Sequence, residues 1–571
     1  MIEHPIPLDN PAGKLKSIAN PGRIPRIEMV LLLALVLIGF SLRIWKISTI
    51  GLDHFDEGVY AFSGLGVTDS TQPHRLYPEQ VKFSPPVFFS LVGLSYHLFG
   101  GPSDTAAIFV NVLLGTLTIA LVWWVGRAWF GAQVGIAAAA LLSFNEYHIA
   151  LSRTALTDVA FALFFLLALA VIVTTFQRQS LASAIVAGLT VGLAWNTKYH
   201  GWFALLISGA ALWAFAWHCH VSGLSRKRLF ILWAIMVAVA VACYLPWAFF
   251  IQSQAGGYSA MVQYQRTQLS KHWLTNLQLQ GQKQLFLEGP FSRFSVLIAF
   301  LCTVLISGCY LRPSLKFFLI LAFLVGSALL IGTSGTAILI TLLAIPALLR
   351  KSTSFSVWLV LSWLTIWFFS TPLYRPFGRL VLPFSIASFL VESFYVSSVV
   401  NEPEHKLGHI AWRPILAAVA ALTVFAIAGL MPNPSNPWRS SKSVSQAAAA
   451  MQTIIPPGSR VIVVGEPPLA FYLHLSNRPA FERVEDMAVL ESLPTAVYIV
   501  TGAYAKCAPK LREGLKKLNN RLVPLGTFKM EPKDIRVLDD FLPREARLFR
   551  THADSTYDLM LYYLLPKSSA S

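Results

Sequence analysis

The feature that most constrains this chain is the recurrence of long apolar runs between Met29 and Met431. Many of these runs approach the ~20 residues that a helix needs to cross the hydrocarbon core of a bilayer. Hydrophobic residues make up 55% of the 571 residues and charged residues only 13%, whereas a soluble domain carries about 25% charged residues. One soluble core could not bury so many apolar runs. The sequence therefore predicts an α-helical polytopic membrane protein.

About thirteen transmembrane helices are predicted. They cover residues 27–47, 105–126, 132–150, 157–176, 182–197, 200–217, 229–250, 292–311, 316–332, 334–350, 355–370, 376–399 and 411–431. The first run could be a signal peptide, but no small-residue cleavage site follows it and many more spans come after. We interpret it as a retained signal anchor.

Basic residues predict the orientation of these helices. The net charge of +17 could indicate a nucleic-acid partner, but the basic residues lie in short loops rather than in one patch, which excludes that class. Every turn on one side of the predicted membrane carries Lys or Arg, as the positive-inside rule expects. We therefore expect residues 1–26 to be cytoplasmic and the C-terminal tail to be extracytoplasmic. The expected location is the inner, or plasma, membrane of a bacterium.

The segments outside the predicted spans form two long outer loops and a tail. The loops cover about 48–104 and 251–291, and the apolar segment Val87 to Phe99 is typical of an interfacial helix. Residues 439–571 have the mixed composition of a small extracytoplasmic α/β domain. Its predicted elements are strands at Val461–Val464 and Ala496–Val500 and a basic helix at Ala505–Asn519. The five scattered cysteines indicate neither a metal site nor a disulfide framework.

The first outer loop opens with an acidic segment that runs from Asp53 to Tyr60. Asp53, Asp56, Glu57 and His54 lie within five residues, directly after the first span. A carboxylate here could accept a proton from an incoming hydroxyl, and paired acids could also hold a divalent metal ion. The alternative is a solvated start of a loop in which Asp56 caps a helix.

Two further outer segments carry charged residues. Lys82 precedes Pro85 and Pro86 and could meet a phosphate at the level of the headgroups, or could simply snorkel to them. Asp158 opens the fourth span, where the helix dipole alone favours an acid. It could instead hold a cation or orient a sugar. Arg153 could pair with Asp158 or with a phosphate.

The remaining outer turns supply cations near aromatic residues. Lys198 is a lone cation in an apolar stretch, suited either to a leaving phosphate or to anchoring at the headgroups. Arg375 and Arg379 follow Tyr374 on the side where positive charge is unusual. Arginine suits bidentate binding of phosphate, and a salt bridge to the acidic segment is the competing structural role.

Taken in order, these features resemble the C-type glycosyltransferases of the protein O-mannosyltransferase and aminoarabinose transferase group. The matching features are Asp56-Glu57 with Tyr60, the aromatic segment after Pro85-Pro86, Arg153 to Asp158, Thr197-Lys198-Tyr199, and Tyr374 to Arg379. The resemblance covers about residues 27–430. One position departs from it: Ser84 stands where relatives often carry a basic residue, and the lysine lies two residues earlier.

The resemblance implies a GT-C fold and a polyprenyl- or dolichyl-phosphate-linked sugar donor. It implies inverting transfer to a hydroxyl of a protein, a glycolipid or a lipid-linked glycan at the extracytoplasmic face. Asp56 would be the catalytic base, assisted by Glu57 and Asp158. The implied residues for binding the lipid phosphate and the sugar are Tyr60, Lys82, Arg153, Lys198, Tyr374, Arg375 and Arg379.

Three other functions fit parts of the sequence. A transporter or lipid flippase is expected to have internal repeats and ionisable groups near the midplane of the bilayer, whereas the charges noted above lie at the outer face and no repeat is visible. A lipid-linked glycan ligase or polymerase would move a whole glycan instead of one sugar. A membrane scaffold without catalytic activity would not need Asp56 and Glu57 to cluster with outer cations.

Overall fold

The computed structural model describes residues 24–68, 84–218, 226–254, 256–307, 326–327, 334–346, 348–349, 354–401, 442–475, 481–482, 496–507, 509–542 and 555–566. The helices up to residue 401 are α1 (Arg26–Ile44), α2 (Phe55–Thr68), α3 (Val87–Leu98), α4 (Asp104–Phe130), α5 (Ala132–Phe144), α6 (Glu146–Ser152), α7 (Thr157–Arg178), α8 (Leu181–Trp195), α9 (Phe203–His218), α10 (Arg226–Ser253), α11 (Gly257–Thr267), α12 (Trp273–Phe286), α13 (Pro290–Ser307), α14 (Ser334–Pro346), α15 (Phe355–Ser370) and α16 (Leu382–Asn401).

Within the described residues, seven helices are long and apolar enough to cross a membrane, or up to nine if each of two bent pairs is one span. The class of fold predicted from the sequence is therefore confirmed, whereas the number of thirteen spans stays a prediction. The predicted span 411–431 lies outside the described residues, as does nearly all of 316–332. The other predicted spans each fall on an apolar helix.

The predicted span 132–150 is not one straight helix. It consists of α5 and α6, which meet at an angle of 63°. Asn145 lies between them in an extended conformation, and its side chain accepts a hydrogen bond from the main-chain N–H of His148 at 2.9 Å. An Asn that caps a new helix ends the previous one, because its backbone has left the helical conformation.

The membrane helices pack in a way that separates an inner group from a lipid-facing group. Helix α7 and the helix that contains α16 are mostly enclosed by other helices, whereas α1 and α10 expose most of their apolar surface. Helices α4 and α5 approach closely at Gly126 and Gly135, where an added Cβ on Gly126 would lie 2.9 Å from the Cα of Gly135. Such contacts between small residues are typical of helices that pack in a bilayer.

The tail contains a five-stranded mixed sheet. Its elements are α17 (Ser443–Ile454), β1 (Val461–Val464), α18 (Pro467–Leu475), β2 (Phe481–Glu482), β3 (Val497–Thr501), α19 (Ala503–Cys507), α20 (Pro509–Lys517), β4 (Leu522–Phe528), α21 (Asp534–Asp540) and β5 (Leu559–Leu564). The strand order is β2-β1-β3-β5-β4. Strand β1 pairs in parallel with β2 and β3, and β5 pairs antiparallel with β3 and β4. The structure thus has β1 where the sequence predicts it and β3 shifted by one residue.

The sheet domain lies directly against the acidic segment through helix α18. Gly58 in α2 makes this contact possible, because a Cβ there would lie 2.1 Å from the main-chain nitrogen of Pro468. The hydroxyl of Tyr472 accepts a hydrogen bond from the main-chain N–H of Leu52 at 2.8 Å and donates one to Asp104 at 2.9 Å. The tail is therefore packed onto the membrane part of the chain at the start of α2.

Candidate active site

The acidic segment forms the capped start of helix α2. The carboxylate of Glu57 accepts hydrogen bonds from the main-chain N–H groups of Asp53 at 3.2 Å and His54 at 3.1 Å. In return, Nδ1 of His54 accepts one from the main-chain N–H of Asp56 at 3.1 Å. This reciprocal arrangement satisfies N–H groups that a helix start leaves free. The cap is thus made by His54 and Glu57, and the carboxylate of Asp56 remains available for other contacts.

Glu57 is buried and connects the start of α2 to the segments that contain Ala155 and Lys533. Besides the cap, its carboxylate accepts hydrogen bonds from the main-chain N–H of Ala155 at 3.0 Å and from Nζ of Lys533 at 2.7 Å on both oxygens. Burial raises the pKa of Glu57, but the charge and hydrogen bonds of Lys533 outweigh it and leave the pKa below its ordinary value. Glu57 is therefore ionised, and its contacts fix the loop beside Asp56.

Asp56 points toward the turn before helix α16. Its Oδ2 accepts a hydrogen bond from Nη2 of Arg379 at 2.6 Å, and both side chains are mostly buried. Arg379 also lies 3.5 Å from Asp539 through Nε and 3.9 Å from Asp158 through Nη1. One guanidinium therefore faces three carboxylates, each with a different nitrogen atom, as its planar fork of donors allows.

A second ion pair lies beside the first. Nζ of Lys198 donates to Oδ1 of Asp158 at 2.5 Å. Asp158 occupies the first turn of α7, where the positive end of the helix dipole also favours a negative charge. Its Oδ2 is buried and has no hydrogen-bond partner among the described residues. The carboxylate of Asp158 thus holds the two cations, Lys198 and Arg379, next to each other.

A small cavity opens beside these cations. Its volume is about 190 Å³, and its polar lining is Asp158, Lys198, His200, Ser370, Thr371, Tyr374 and Arg379. Apolar side chains line the remainder: Phe161, Phe203, Leu269, Trp367, Leu373, Leu380 and Pro383. Pockets for drug-sized ligands measure roughly 300–1,000 Å³, so this cavity fits one small group with a charged end.

An apolar groove lies on the neighbouring surface. It is more open and has a volume of about 600 Å³. Its lining is Pro86, Val87, Phe89, Leu189, Gly192, Leu193, Asn196, Cys243, Pro246, Trp247 and Phe250. The main-chain N–H of Val87 donates to the carbonyl of Asn196 at 2.9 Å, which fixes the Pro85-Pro86 segment to the turn that carries Lys198. Only Thr197 separates Asn196, which lines the groove, from Lys198, which lines the cavity.

Two of the predicted binding residues are buried in the scaffold. The ring of Tyr60 packs edge-to-face against Phe88, with 5.5 Å between the ring centroids. Burial raises the pKa of the Tyr60 phenol well above its ordinary value, so this group stays neutral. Nη1 of Arg153 donates to the carbonyls of Arg43 at 2.9 Å and Trp45 at 2.7 Å. Burial lowers the pKa of Arg153 to about 10, and the guanidinium still fastens the end of α1.

The predicted residues of the 374–379 turn occupy different surroundings. Tyr374 lines the cavity and donates its hydroxyl hydrogen to Gln265 at 2.9 Å. Arg375 is exposed at the turn, with its guanidinium 5.5 Å from the centroid of the Phe377 ring. Lys82 lies outside the described residues. Of the seven predicted binding residues, Lys198, Tyr374 and Arg379 share the cavity.

Sequence reasoning missed the contribution of the tail. Asp539 accepts a hydrogen bond from His54 at 2.6 Å and faces Arg379. Burial raises the pKa of Asp539, but the charge of Arg379 and the hydrogen bond from His54 outweigh burial, so the pKa lies below its ordinary value. Lys533 binds Glu57, as described above, and donates from Nζ to the carbonyl of Gly51 at 3.1 Å. No local pattern distinguishes these residues from other charged residues of the tail.

The site offers a poor set of ligands for a metal ion. Asp56 and Asp158 already accept from Arg379 and Lys198, and hard divalent cations prefer several free oxygen ligands. Over the described part of the chain, no group of three or more His, Cys, Asp or Glu residues could hold a metal ion. The carboxylates of this site therefore do not fit a divalent metal ion.

Comparison with solved structures identifies the fold. The apo oligosaccharyltransferase of Archaeoglobus fulgidus superposes with a TM-score of 0.51 at 15% identity, over 88% of this chain and 74% of that chain. ArnT from Cupriavidus metallidurans bound to undecaprenyl phosphate gives 0.44 at 15% identity, over 94% and 97%. The S. cerevisiae Pmt1–Pmt2 protein O-mannosyltransferase complex gives 0.34 at 20% identity, over 43% and 36%. The first superposition carries the assignment.

The chain has the GT-C fold of polytopic membrane glycosyltransferases. Residues 84–250 match the family model described as dolichyl-phosphate-mannose-protein mannosyltransferase. This segment includes Asp158 and Lys198, so two of the predicted site residues lie in the part of the chain that is similar to this family. No curated protein matches the sequence.

Proposed function

We propose that this protein transfers a single sugar from a polyprenyl-phosphate-linked donor to an acceptor hydroxyl, with inversion at the anomeric carbon. The observation that carries the proposal is the contact of Asp56 with Arg379, which lines a small cavity together with Lys198. One carboxylate and two cations are the groups that an acceptor proton and a leaving phosphate require. Transfer at the extracytoplasmic face of a bacterial inner membrane follows if the basic loops are cytoplasmic.

The donor phosphate would bind to Lys198 and Arg379. Both cations face Asp158 in the described structure, so they are held in place before the donor arrives. Charge develops on the leaving phosphate as its bond to the sugar breaks, and preorganised cations stabilise that charge. The sugar would occupy the 190 Å³ cavity between Tyr374 and the aromatic side chains.

The lipid tail would lie in the open apolar groove. Asn196 lines that groove and Lys198 lines the cavity, so a lipid phosphate at Lys198 has its first carbon atoms near the groove. Phe89, Trp247 and Phe250 provide an apolar wall. Burial of hydrocarbon there contributes roughly 25 cal/mol per Å² of apolar area.

Asp56 would act as the catalytic base. Its carboxylate takes the proton of the acceptor hydroxyl, and the acceptor oxygen forms a bond to the anomeric carbon. The bond between that carbon and the phosphate oxygen breaks, and its electron pair leaves on the lipid phosphate. Arg379 binds Asp56 at 2.6 Å in the described structure. A donor phosphate that binds Arg379 would therefore weaken the Arg379–Asp56 ion pair, and Asp56 could then accept the proton.

The test is sugar transfer in membranes that contain either the wild type or Asp56→Asn, with a panel of radiolabelled polyprenyl-phosphate monosaccharides. We expect the wild type to use at least one donor and the variant to lose about 10²- to 10⁴-fold in rate, the usual contribution of a general base. Glu513→Gln, a change at an exposed carboxylate of α20, is the matched control and should stay within about twofold of the wild type.

Two outcomes would contradict the proposal. Equal rates in the wild type and Asp56→Asn would remove Asp56 as the base. Transfer from a lipid-linked oligosaccharide but from no monosaccharide donor would favour a glycan ligase.

A further inference from the structure

We propose that Asp539, on helix α21 of the tail domain, is a positioning residue of the active site. It acts by holding both the side chain and the main chain of the segment that carries the base. This inference rests on the proposed function, because it assigns Asp539 a role in the reaction of Asp56. The observation behind it is that one carboxylate oxygen contacts two groups that each bind Asp56.

The first connection runs through Arg379. Oδ2 of Asp539 lies 3.5 Å from Nε of Arg379, and Nη2 of the same guanidinium donates to Asp56 at 2.6 Å. Since Nε and Nη2 belong to one rigid plane, a carboxylate at Nε restricts the direction in which Nη2 points. Asp539 therefore favours the orientation of Arg379 in which Nη2 points at Asp56.

The second connection runs through His54. Nδ1 of His54 accepts from the main-chain N–H of Asp56, so the proton of a neutral ring is on Nε2. That Nε2 donates to the same Oδ2 atom of Asp539 at 2.6 Å. Asp539 thereby fixes the orientation of the ring and, through it, the main chain at Asp56. A carboxylate that orients a histidine in this way is a common supporting arrangement in catalytic sites.

The surroundings of Asp539 indicate that this contact is built into the fold. The side chains of Asp539, His54 and Arg379 expose 9%, 7% and 11% of their surface. Residues 533 to 540 are held in place by two further buried ion pairs, Lys533 with Glu57 and Arg536 with Glu466. A chance contact on a mobile surface would not place three ionised groups of one short segment in buried pairs.

Asp539→Asn is the informative variant, because it keeps the size of the side chain and removes its charge. We expect kcat to fall about 10- to 100-fold, the effect of a small misplacement of a catalytic group, while the donor KM changes less than about threefold. Asp539→Glu restores a carboxylate and should recover part of kcat. Asp540→Asn is the matched control: its carboxylate is one residue away and accepts from Tyr557 at 3.0 Å inside the tail domain.

The outcomes separate this inference from the proposed function. A wild type that transfers no sugar contradicts the proposed function. An active wild type with equal kcat in Asp539→Asn and Asp540→Asn contradicts the positioning role alone. A structure of Asp539→Asn provides a measurement that does not depend on activity. We expect Arg379 and the ring of His54 to shift relative to Asp56, and an unchanged Asp56–Arg379 pair would overturn the inference.

Discussion

At the scale of single residues, the site is organised by Arg379. Its three nitrogen positions face Asp56, Asp158 and Asp539, so it connects the proposed base, the proposed phosphate site and the tail domain. A lysine has its three donors on a single nitrogen atom, so it lacks the planar spread of nitrogen atoms with which Arg379 faces three carboxylates in fixed directions. The geometry of the guanidinium matters here as much as its charge.

Arg379→Lys is therefore expected to behave as a severe change even though the charge is kept. We expect kcat/KM to fall about 10²-fold, corresponding to about 2.7 kcal/mol of transition-state stabilisation. The measurement is transfer kinetics over a range of donor concentrations. Arg375→Lys provides the comparison, since Arg375 is exposed and stacks near Phe377. An equal loss of kcat/KM in both variants would contradict the requirement for the guanidinium geometry of Arg379.

Asp158 and Lys198 lend themselves to a double-mutant cycle. Asp158→Asn leaves Lys198 without its partner in a mostly buried position, and removal of one member of a buried ion pair costs about 3–5 kcal/mol. We expect the melting temperature in detergent to fall for Asp158→Asn. In Asp158→Asn combined with Lys198→Met the melting temperature should recover, while transfer stays low. Additive losses of stability would show that the pair is not coupled.

At the scale of secondary-structure elements, the contact between α2 and α18 positions the site. Gly58 permits the close approach of Pro468. The aromatic ring of Phe55, at the start of the same helix, lies 5.0 Å from that of Tyr504 in the tail domain. Both contacts involve the helix that carries Asp56. The position of Asp56 thus depends on how tightly the sheet domain packs against this one helix.

Gly58→Ala tests that dependence. The new Cβ would lie 2.1 Å from a main-chain atom of Pro468, so the two elements must separate. Overpacking of this kind costs about 1–3 kcal/mol. We expect faster hydrogen exchange in the peptide that covers residues 51–60 and a lower kcat. Gly281→Ala, in α12 where an added Cβ meets nothing within 4 Å, is the control and should leave both quantities unchanged.

The elements that sequence reasoning predicts well are those with a strong local signal. The apolar helices and β1 follow directly from the pattern of hydrophobic residues. The bend between α5 and α6 was missed, although Asn145 before Glu146 is typical of a new helix start. The apolar pattern continues through the bend, and a hydropathy pattern does not distinguish a straight span from two shorter helices.

At the scale of the whole molecule, the structure joins residues that are far apart in the chain. Lys533 and Glu57 are separated by 476 positions, and Asp539 and His54 by 485. Such pairs depend on the docking of one domain on another, which no local pattern encodes. The resemblance to a known family predicts Asp56, Asp158, Lys198 and Arg379, which the structure brings together. It extends only to about residue 430 and predicts no site residue in the tail.

The long separation along the chain between α21 and the acidic segment has a consequence for biosynthesis. Glu57 and His54 of the acidic segment are translated 476 and 485 residues before their partners Lys533 and Asp539. Contacts of such high sequence separation form late in folding. Until α21 has been synthesised, a nascent chain can insert its helices into the bilayer while its acidic segment still lacks these buried partners. The order of translation thus delays assembly of the candidate site until α21 has been synthesised.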